Sequence, residues 1–217
     1  MNLKIKLCGL KDKESIIAAA DANYVGFVFY QKSPRFINAL KAKELRKYIN
    51  DKQKLVGLFV NADLNVISHI TEFLELDVIQ LHGDEDLDYI KEVRKFKKPI
   101  IKSVSVENYT DIEDAKKYEE LCDMILFDTK INSGISGGSG ISFDWNLLKR
   151  YDSRVEWILA GGLNIENVTS AIKTTNANFI DVSSGVEKSK GTKCKKKIEK
   201  FIKFVRSYEY KKKNQLL

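Results

Sequence analysis

Histidine, proline and cysteine are all scarce in this chain of 217 residues, which contains two, two and three of them respectively. The cysteines, Cys8, Cys122 and Cys194, lie far apart, and their odd number argues against a disulfide framework. No Cys-x-x-Cys pair occurs, so we expect neither a structural zinc site nor a metal in the functional site. The small number of prolines excludes collagen-like and proline-rich classes.

Long apolar runs are also missing. No run approaches the roughly 18 residues that a membrane-spanning helix needs. The first residues, Met1–Lys6, lack the apolar stretch of a secretory signal. We therefore expect a cytoplasmic protein with no membrane partner. Hydrophobic residues make up 43% and charged residues 31%, values that are typical of a globular domain and exclude global disorder.

The positive charge is concentrated at the C-terminal end. Residues 188–217 hold 12 of the 37 Lys and Arg residues but only 2 of the 30 Asp and Glu residues, so the rest of the chain is slightly acidic. A charge run of this kind is typical of a solvated helix face. We therefore predict no nucleic-acid partner, and we divide the chain into one domain at 1–207 and a lysine-rich tail at 208–217.

Short β-rich apolar runs alternate along the chain with segments of helical spacing. Eight strands are predicted, at 3–8, 24–29, 55–60, 78–81, 99–104, 124–127, 155–160 and 179–183. Asn164 is expected to cap a helix at 165–173, and the last helix is expected at about 193–207. Eight strand–helix units predict an α/β protein with a single closed (β/α)8 TIM barrel. No GxGxxG or GxxxxGK[ST] motif supports dinucleotide or P-loop binding.

Glycine and serine residues cluster after the last two predicted strands, where TIM barrels commonly bind phosphate through backbone N–H groups. They are Gly161, Gly162, Ser183, Ser184 and Gly185. These residues predict a phosphate site, although glycines that only form tight turns would give the same pattern. Gly140, in a glycine-rich segment at 137–140, is predicted to close over the same group.

Four further side chains lie at the carboxyl ends of strands, where the active site of a barrel forms. Cys8 is followed by glycine, which leaves room for a ligand, although many such cysteines are only small core residues. Asp128 is a loop cap or a general acid with a raised pKa. Arg35 offers a planar fork for a substrate carboxylate, or a surface salt bridge. His82 is either a hydrogen-bond partner of the site or a core histidine.

Several motifs in a fixed order carry a family resemblance. They are Lys6–Leu10, Gly26–Arg35, Val56–Asn61, Gln80–Glu85, Phe127–Thr129, Gly137–Gly140, Phe143–Trp145, Leu159–Val168 and Asp181–Glu187. Together they resemble the N-(5′-phosphoribosyl)anthranilate isomerases of tryptophan biosynthesis, over nearly the whole chain to about residue 205. Members of that family occur as monomers and dimers, so a monomer or a homodimer is expected.

The resemblance implies an Amadori rearrangement of phosphoribosylanthranilate to 1-(2-carboxyphenylamino)-1-deoxyribulose 5-phosphate, with no cofactor. It makes Cys8 the general base and Asp128 the general acid. It assigns Arg35 to the anthranilate carboxylate, and it places His82 and Asp181 at the substrate. The two glycine-containing loops would hold the phosphate. A thiolate base needs a positive environment, which we therefore expect near Cys8.

Two other functions are considered. An isomerase of the histidine pathway runs the same reaction on an aminoimidazole substrate, but those enzymes carry aspartate where this chain has Cys8. A catalytically silent binder of a phosphate ligand or nucleic acid would use the basic tail. Such a binder would not require Cys8 and Asp128 together.

Overall fold

A closed barrel of eight parallel strands forms the framework of the protein, in the order β1 to β8. The computed structural model describes residues 3–129, 142–149 and 151–214, with side chains described to residue 209. The strands are β1 (Lys4–Cys8), β2 (Tyr24–Val28), β3 (Lys54–Phe59), β4 (Val78–Leu81), β5 (Ile100–Val106), β6 (Met124–Thr129), β7 (Glu156–Leu159) and β8 (Phe179–Val182). The predicted TIM barrel is confirmed, and each predicted strand ends within two residues of the observed one.

Helices on the outside connect the strands. Within the described residues they are α1 (Lys13–Ala18), α2 (Ala39–Arg46), α3 (Leu64–Leu74), α4 (Leu87–Arg94), α5 (Tyr109–Ala115), α6 (Val168–Thr175) and α7 (Lys195–Asn214). Among the described residues between β6 and β7, a short 3₁₀ turn forms at Trp145–Leu148, and the side chain of Asp144 caps it. No helix in the described part of the chain is long and apolar enough to cross a bilayer.

The core has two layers, because each strand is buried on both faces. Alternate side chains of the strands pack outward against the helices, and the others fill the interior of the barrel. The interior layer is closed by apolar residues, which are Tyr24, Val56, Val78, Ile101, Met124, Leu126, Ile158, Ala160 and Phe179. The polar side chains of the barrel interior therefore lie nearer the carboxyl ends of the strands. A functional site can form there.

The helix after β7 begins later than predicted. The side-chain oxygen of Asn164 accepts hydrogen bonds from the backbone N–H groups of Glu166 and Asn167, at 2.8 and 3.2 Å. These bonds close a turn at 165–167, and α6 starts only at Val168. The prediction of Asn164 as a helix cap was therefore wrong, because its bonds stabilise the preceding turn.

Two features of the C-terminal region were not predicted. A small antiparallel hairpin forms from β9 (Glu187–Ser189) and β10 (Thr192–Lys193), directly after the 3₁₀ turn that follows β8. Helix α7 continues to Asn214, beyond the predicted end at about residue 207. Most of the segment that we treated as a tail is therefore helical.

Candidate active site

A cavity of about 490 Å³ opens at the carboxyl ends of the barrel strands. The side chains predicted for catalysis and substrate binding all line it, and they are Cys8, Arg35, His82, Asp128 and Asp181. Of the predicted phosphate ligands, Ser183 also lines the cavity. The strand order explains this gathering, because parallel strands bring their carboxyl ends to one rim of the barrel.

Cys8 ends β1 with its side chain inside the barrel, where only 5% of the residue is exposed. The neighbouring position on β2 is Gly26, and a Cβ atom there would lie 3.2 Å from the Cys8 sulfur, so this glycine gives the thiol its space. Burial raises the pKa of Cys8, while the positive charges of Lys6, Lys193 and Arg35 act to lower it. The expected positive environment is therefore present, but burial outweighs it and favours the thiol before substrate binds.

Asp128 and His82 lie beside each other at the mouth of the barrel, with 3.5 Å between Asp128 Oδ2 and His82 Nε2. Burial raises the pKa of Asp128 to about 6. Burial, together with the positive charges of Lys6 and Lys102, lowers the pKa of His82 to about 3, so this histidine is neutral at physiological pH. A neutral neighbour does not hold Asp128 in its ionised form, and the carboxyl group can act as a proton donor.

Gln80 sets the tautomer of the histidine. Its amide nitrogen lies 3.0 Å from Nδ1 of His82 and 3.0 Å from the hydroxyl group of Ser103. An amide nitrogen only donates, so Nδ1 accepts and the ring proton is on Nε2, facing Asp128. His82 is thus a largely buried, hydrogen-bonded histidine and also a neighbour of the predicted acid, so both interpretations of this residue hold.

Arg35 forms a buried ion pair rather than a surface salt bridge. Its Nε and Nη2 atoms donate to the two carboxylate oxygens of Glu187, at 2.7 and 3.0 Å. Lys193 Nζ also donates to Glu187, at 2.9 Å, and to the carbonyl oxygen of Ser183 at the same distance. The β9–β10 hairpin therefore holds the guanidinium group at the cavity through two of its three nitrogens, and no residue in the described part of the chain hydrogen-bonds to Nη1.

The loops after β7 and β8 contact each other. Gly161 and Gly162 have positive φ angles of 84° and 66°, a conformation that glycine adopts easily, and a side chain on Gly161 would overlap Thr129. A side chain on Gly185 would overlap the carbonyl group of Leu163. Ser184 begins the 3₁₀ turn that includes Gly185. The predicted phosphate loops thus pack together beside Asp128, while Gly140 lies outside the described residues.

Lys6 is among the charged residues near the site that were not predicted. Lys6 precedes Cys8 by two positions on β1, so the two side chains share the inner face of the barrel. Its Nζ atom is fully buried and lies 3.1 Å from Oδ1 of Asp181, which occupies the paired position on β8. The signal available in the sequence was a lysine inside a strand whose neighbours Ile5 and Leu7 are apolar.

Comparison with known proteins agrees with this geometry. Residues 5–204 match the family described as N-(5′-phosphoribosyl)anthranilate (PRA) isomerase. The chain belongs to this family. The N-(5′-phosphoribosyl)anthranilate isomerase of Beijerinckia indica is 39% identical over 211 residues, which are 95% of this chain and 95% of that protein. The resemblance predicted from the motifs is therefore confirmed.

Two solved structures of PRA isomerases align closely. One is described as monomers of the dimeric enzyme from Thermotoga maritima, with 36% identity and a TM-score of 0.81 over 94% of this chain and 99% of that one. The other is a complex with reduced 1-(o-carboxyphenylamino)-1-deoxyribulose 5-phosphate, with 35% identity and a TM-score of 0.82 over the same shares. The activity of the chain is isomerisation of phosphoribosylanthranilate in tryptophan biosynthesis.

Proposed function

We propose that Cys8 is the general base and Asp128 the general acid of the isomerase reaction. The observation that carries this assignment is that both groups line one cavity, on strands that β7 and β8 separate around the barrel. A ribose bound between them would present its ring oxygen to one group and its C2′ proton to the other. General acid–base catalysis of this kind contributes about 10²–10⁴-fold for each proton transfer.

The reaction begins at the acid. Asp128 donates its proton to the furanose ring oxygen, the bond between that oxygen and C1′ breaks, and the lone pair of the anthranilate nitrogen forms the iminium ion. The pKa of about 6 keeps a share of Asp128 protonated near neutral pH. The Nε2–H group of the neutral His82 keeps its proton and faces Asp128, so it can donate a hydrogen bond to the carboxylate that the transfer leaves and stabilise it.

The second half of the reaction uses the base. The iminium ion makes the C2′ proton acidic, and the Cys8 thiolate removes it. The electrons of that C–H bond form a double bond between C1′ and C2′, which gives the enolamine. Loss of the hydroxyl proton at C2′ and gain of a proton at C1′ then give the aminoketose.

We assign residues to both ends of the substrate, the anthranilate carboxylate and the phosphate. Nη1 of Arg35 is the nitrogen that Glu187 leaves for the anthranilate carboxylate. Backbone N–H groups of the two glycine-containing loops are proposed to hold the phosphate, with Ser183 as the described residue that lines the cavity on that side. Asp181 lines the same cavity, and we propose that it acts there through its pairing with Lys6.

The family also supports a proposal for the cellular location and the oligomeric state of the enzyme. We propose that it acts in the cytoplasm as a monomer or a homodimer, the second state being supported by the relative that is described as dimeric. Light scattering of the purified chain distinguishes a mass near 24.8 kDa from twice that value.

Turnover of freshly made phosphoribosylanthranilate tests the proposed function, since loss of its fluorescence reports the reaction. The aminoimidazole substrate of the histidine pathway is assayed in parallel. We expect rapid turnover of the first compound and little of the second. Efficient turnover of the imidazole compound would overturn the choice of substrate, and no turnover of either would favour a silent phosphate-ligand binder.

A further inference from the structure

Lys6 is a buried cation inside the barrel. No part of its side chain is exposed, and Nζ faces Asp181 Oδ1 at 3.1 Å. In the described part of the chain, neither atom makes a hydrogen bond of good geometry. A buried ammonium group that is paired but not fully hydrogen-bonded is costly to maintain, and an apolar residue at this position would pack without that cost.

The position of Lys6 connects two strands. Along β1 it shares the inner face with Cys8, and across the sheet it is in register with Asp181 on β8. Burial lowers the pKa of Lys6, but Asp181 and Cys8 outweigh that effect and raise it overall, so the ammonium form is retained. One positive charge therefore lies between a carboxylate and the sulfur atom.

Four charged side chains influence the ionisation of Cys8. Lys6 has the largest influence of the charged groups and favours the thiolate, Asp181 opposes it, and Lys193 and Arg35 favour it more weakly. Lys193 and Arg35 are both engaged by Glu187, whose carboxylate offsets their charge. Without Lys6, an ionised sulfur would therefore face the carboxylate of Asp181 with little compensation.

We propose that Lys6 is a positioning residue for the isomerase reaction: its buried ammonium group neutralises Asp181 and stabilises the thiolate form of Cys8. The inference rests on the proposed role of Cys8 as the base. It explains why a lysine occupies the interior of the barrel at this level, and it gives Asp181 the role of holding that lysine in its charged form.

The test is the pH dependence of Cys8 alkylation by iodoacetamide, quantified at the Cys8 peptide by mass spectrometry so that Cys122 and Cys194 do not contribute. Lys6→Met keeps a long apolar side chain and removes the charge. We expect its alkylation midpoint to rise by at least about one pH unit, the shift that a nearby opposite charge commonly produces. The kcat of Lys6→Met should fall at neutral pH, and raising the pH should not restore it, because loss of the Asp128 proton offsets the gain of thiolate.

Lys4→Met is the matched control, because Lys4 lies on the same strand and pairs with Glu156 instead. Its alkylation midpoint should equal that of the wild type. Lys6→Met leaves Asp181 without its partner, so Lys6→Met/Asp181→Asn provides a charge-balanced variant in case the single variant does not fold. Because Lys6 influences the sulfur more than Asp181 does, the double variant should also show a raised midpoint, though by less.

An unchanged or lowered midpoint in either folded variant would overturn the proposal. Alkylation requires no substrate and no turnover. Failure of this inference is therefore distinguishable from failure of the proposed acid and base, which the turnover assay reports.

Discussion

The Nε2 atom of His82 lies 3.5 Å from the Oδ2 atom of Asp128, and the ring that bears it is neutral. If His82 were a cation, it would hold Asp128 in the ionised form and lower its pKa. The neutral ring allows burial to dominate, so Asp128 keeps a proton to a higher pH than an ordinary aspartate. A side chain directly after β4 and one on β6 thus together produce an acid from a residue that is usually ionised.

The first prediction concerns pH. The pKa of Asp128 is about 6 and that of Cys8 is raised above its ordinary value, so the acid has the lower pKa of the two. Below pH 6 Asp128 is already protonated, and the thiolate fraction falls about tenfold for each unit. Above pH 6, loss of the Asp128 proton offsets the gain of thiolate. We therefore expect kcat/KM to rise with pH to an inflection near 6 and then to level off.

Steady-state kinetics across the acid range measures this profile. An inflection near 3.8, the ordinary value for an aspartate carboxyl group, would contradict the effect of burial on Asp128. His82 should add no inflection of its own near its ordinary value of 6.5, because it is neutral across this range.

The second prediction concerns the ion pair that holds Arg35. Glu187→Gln keeps the shape of the side chain but leaves Arg35 and Lys193 without their shared carboxylate. Breaking a buried pair in this way costs about 3–5 kcal/mol of unfolding free energy. We expect KM for phosphoribosylanthranilate to rise roughly tenfold, equivalent to about 1.4 kcal/mol of binding, with a smaller change in kcat.

The exposed pair between Lys41 and Glu44 provides the control for this experiment. Glu44→Gln should leave the melting temperature, KM and kcat unchanged, because solvent screens exposed pairs. If Glu187→Gln retained the KM of the wild type, Arg35 would not depend on the hairpin for its position.

The third prediction separates the role of Glu209 from that of the lysine charges at the end of α7. Glu209 Oε1 accepts a hydrogen bond from the backbone N–H of Leu3 at 2.9 Å, which ties the last helix to the start of β1. A hydrogen bond to a charged group contributes about 1.5–3 kcal/mol, and each kcal/mol corresponds to about 2–4 °C in Tm for a chain of this length. Glu209→Ala should therefore lower Tm by several degrees without changing kcat at low temperature.

The charges of the tail are tested in the same assays by changing Lys211, Lys212 and Lys213 to glutamine together. Glutamine favours helix about as well as lysine, so the helix is retained while the charge is removed. Neither Tm nor kcat should change. A large fall in kcat would show that the tail takes part in catalysis or in substrate capture.

The barrel could be predicted from the sequence because its strands are short, apolar on both faces and regularly spaced. The catalytic candidates followed from the same pattern, since a polar residue at the carboxyl end of such a strand faces the site. Cys8 and Asp128 both lie where that argument placed them. The turn at Asn164 was mistaken for a helix start, because an asparagine before a polar segment caps either structure.

The electrostatic detail of the site could not be predicted in the same way. The pairing of Lys6 with Asp181 depends on the register between β1 and β8, which are at opposite ends of the chain. The β9–β10 hairpin has strands of three and two residues, too short for any hydrophobic alternation to show. Its Glu187 acts on Arg35, which is 152 positions away along the chain, and only the closed barrel brings the two together.

The kcat of Cys8→Ser, measured beside Cys194→Ser and Asp128→Asn, tests the account most directly. A serine hydroxyl is too weakly acidic to replace a thiolate base, and an asparagine amide cannot donate the carboxyl proton. We expect kcat to fall by about 10²–10⁴-fold in Cys8→Ser and in Asp128→Asn, with little change in KM, while Cys194→Ser keeps the activity of the wild type. A Cys8→Ser enzyme with near-normal kcat would contradict the assignment of the base.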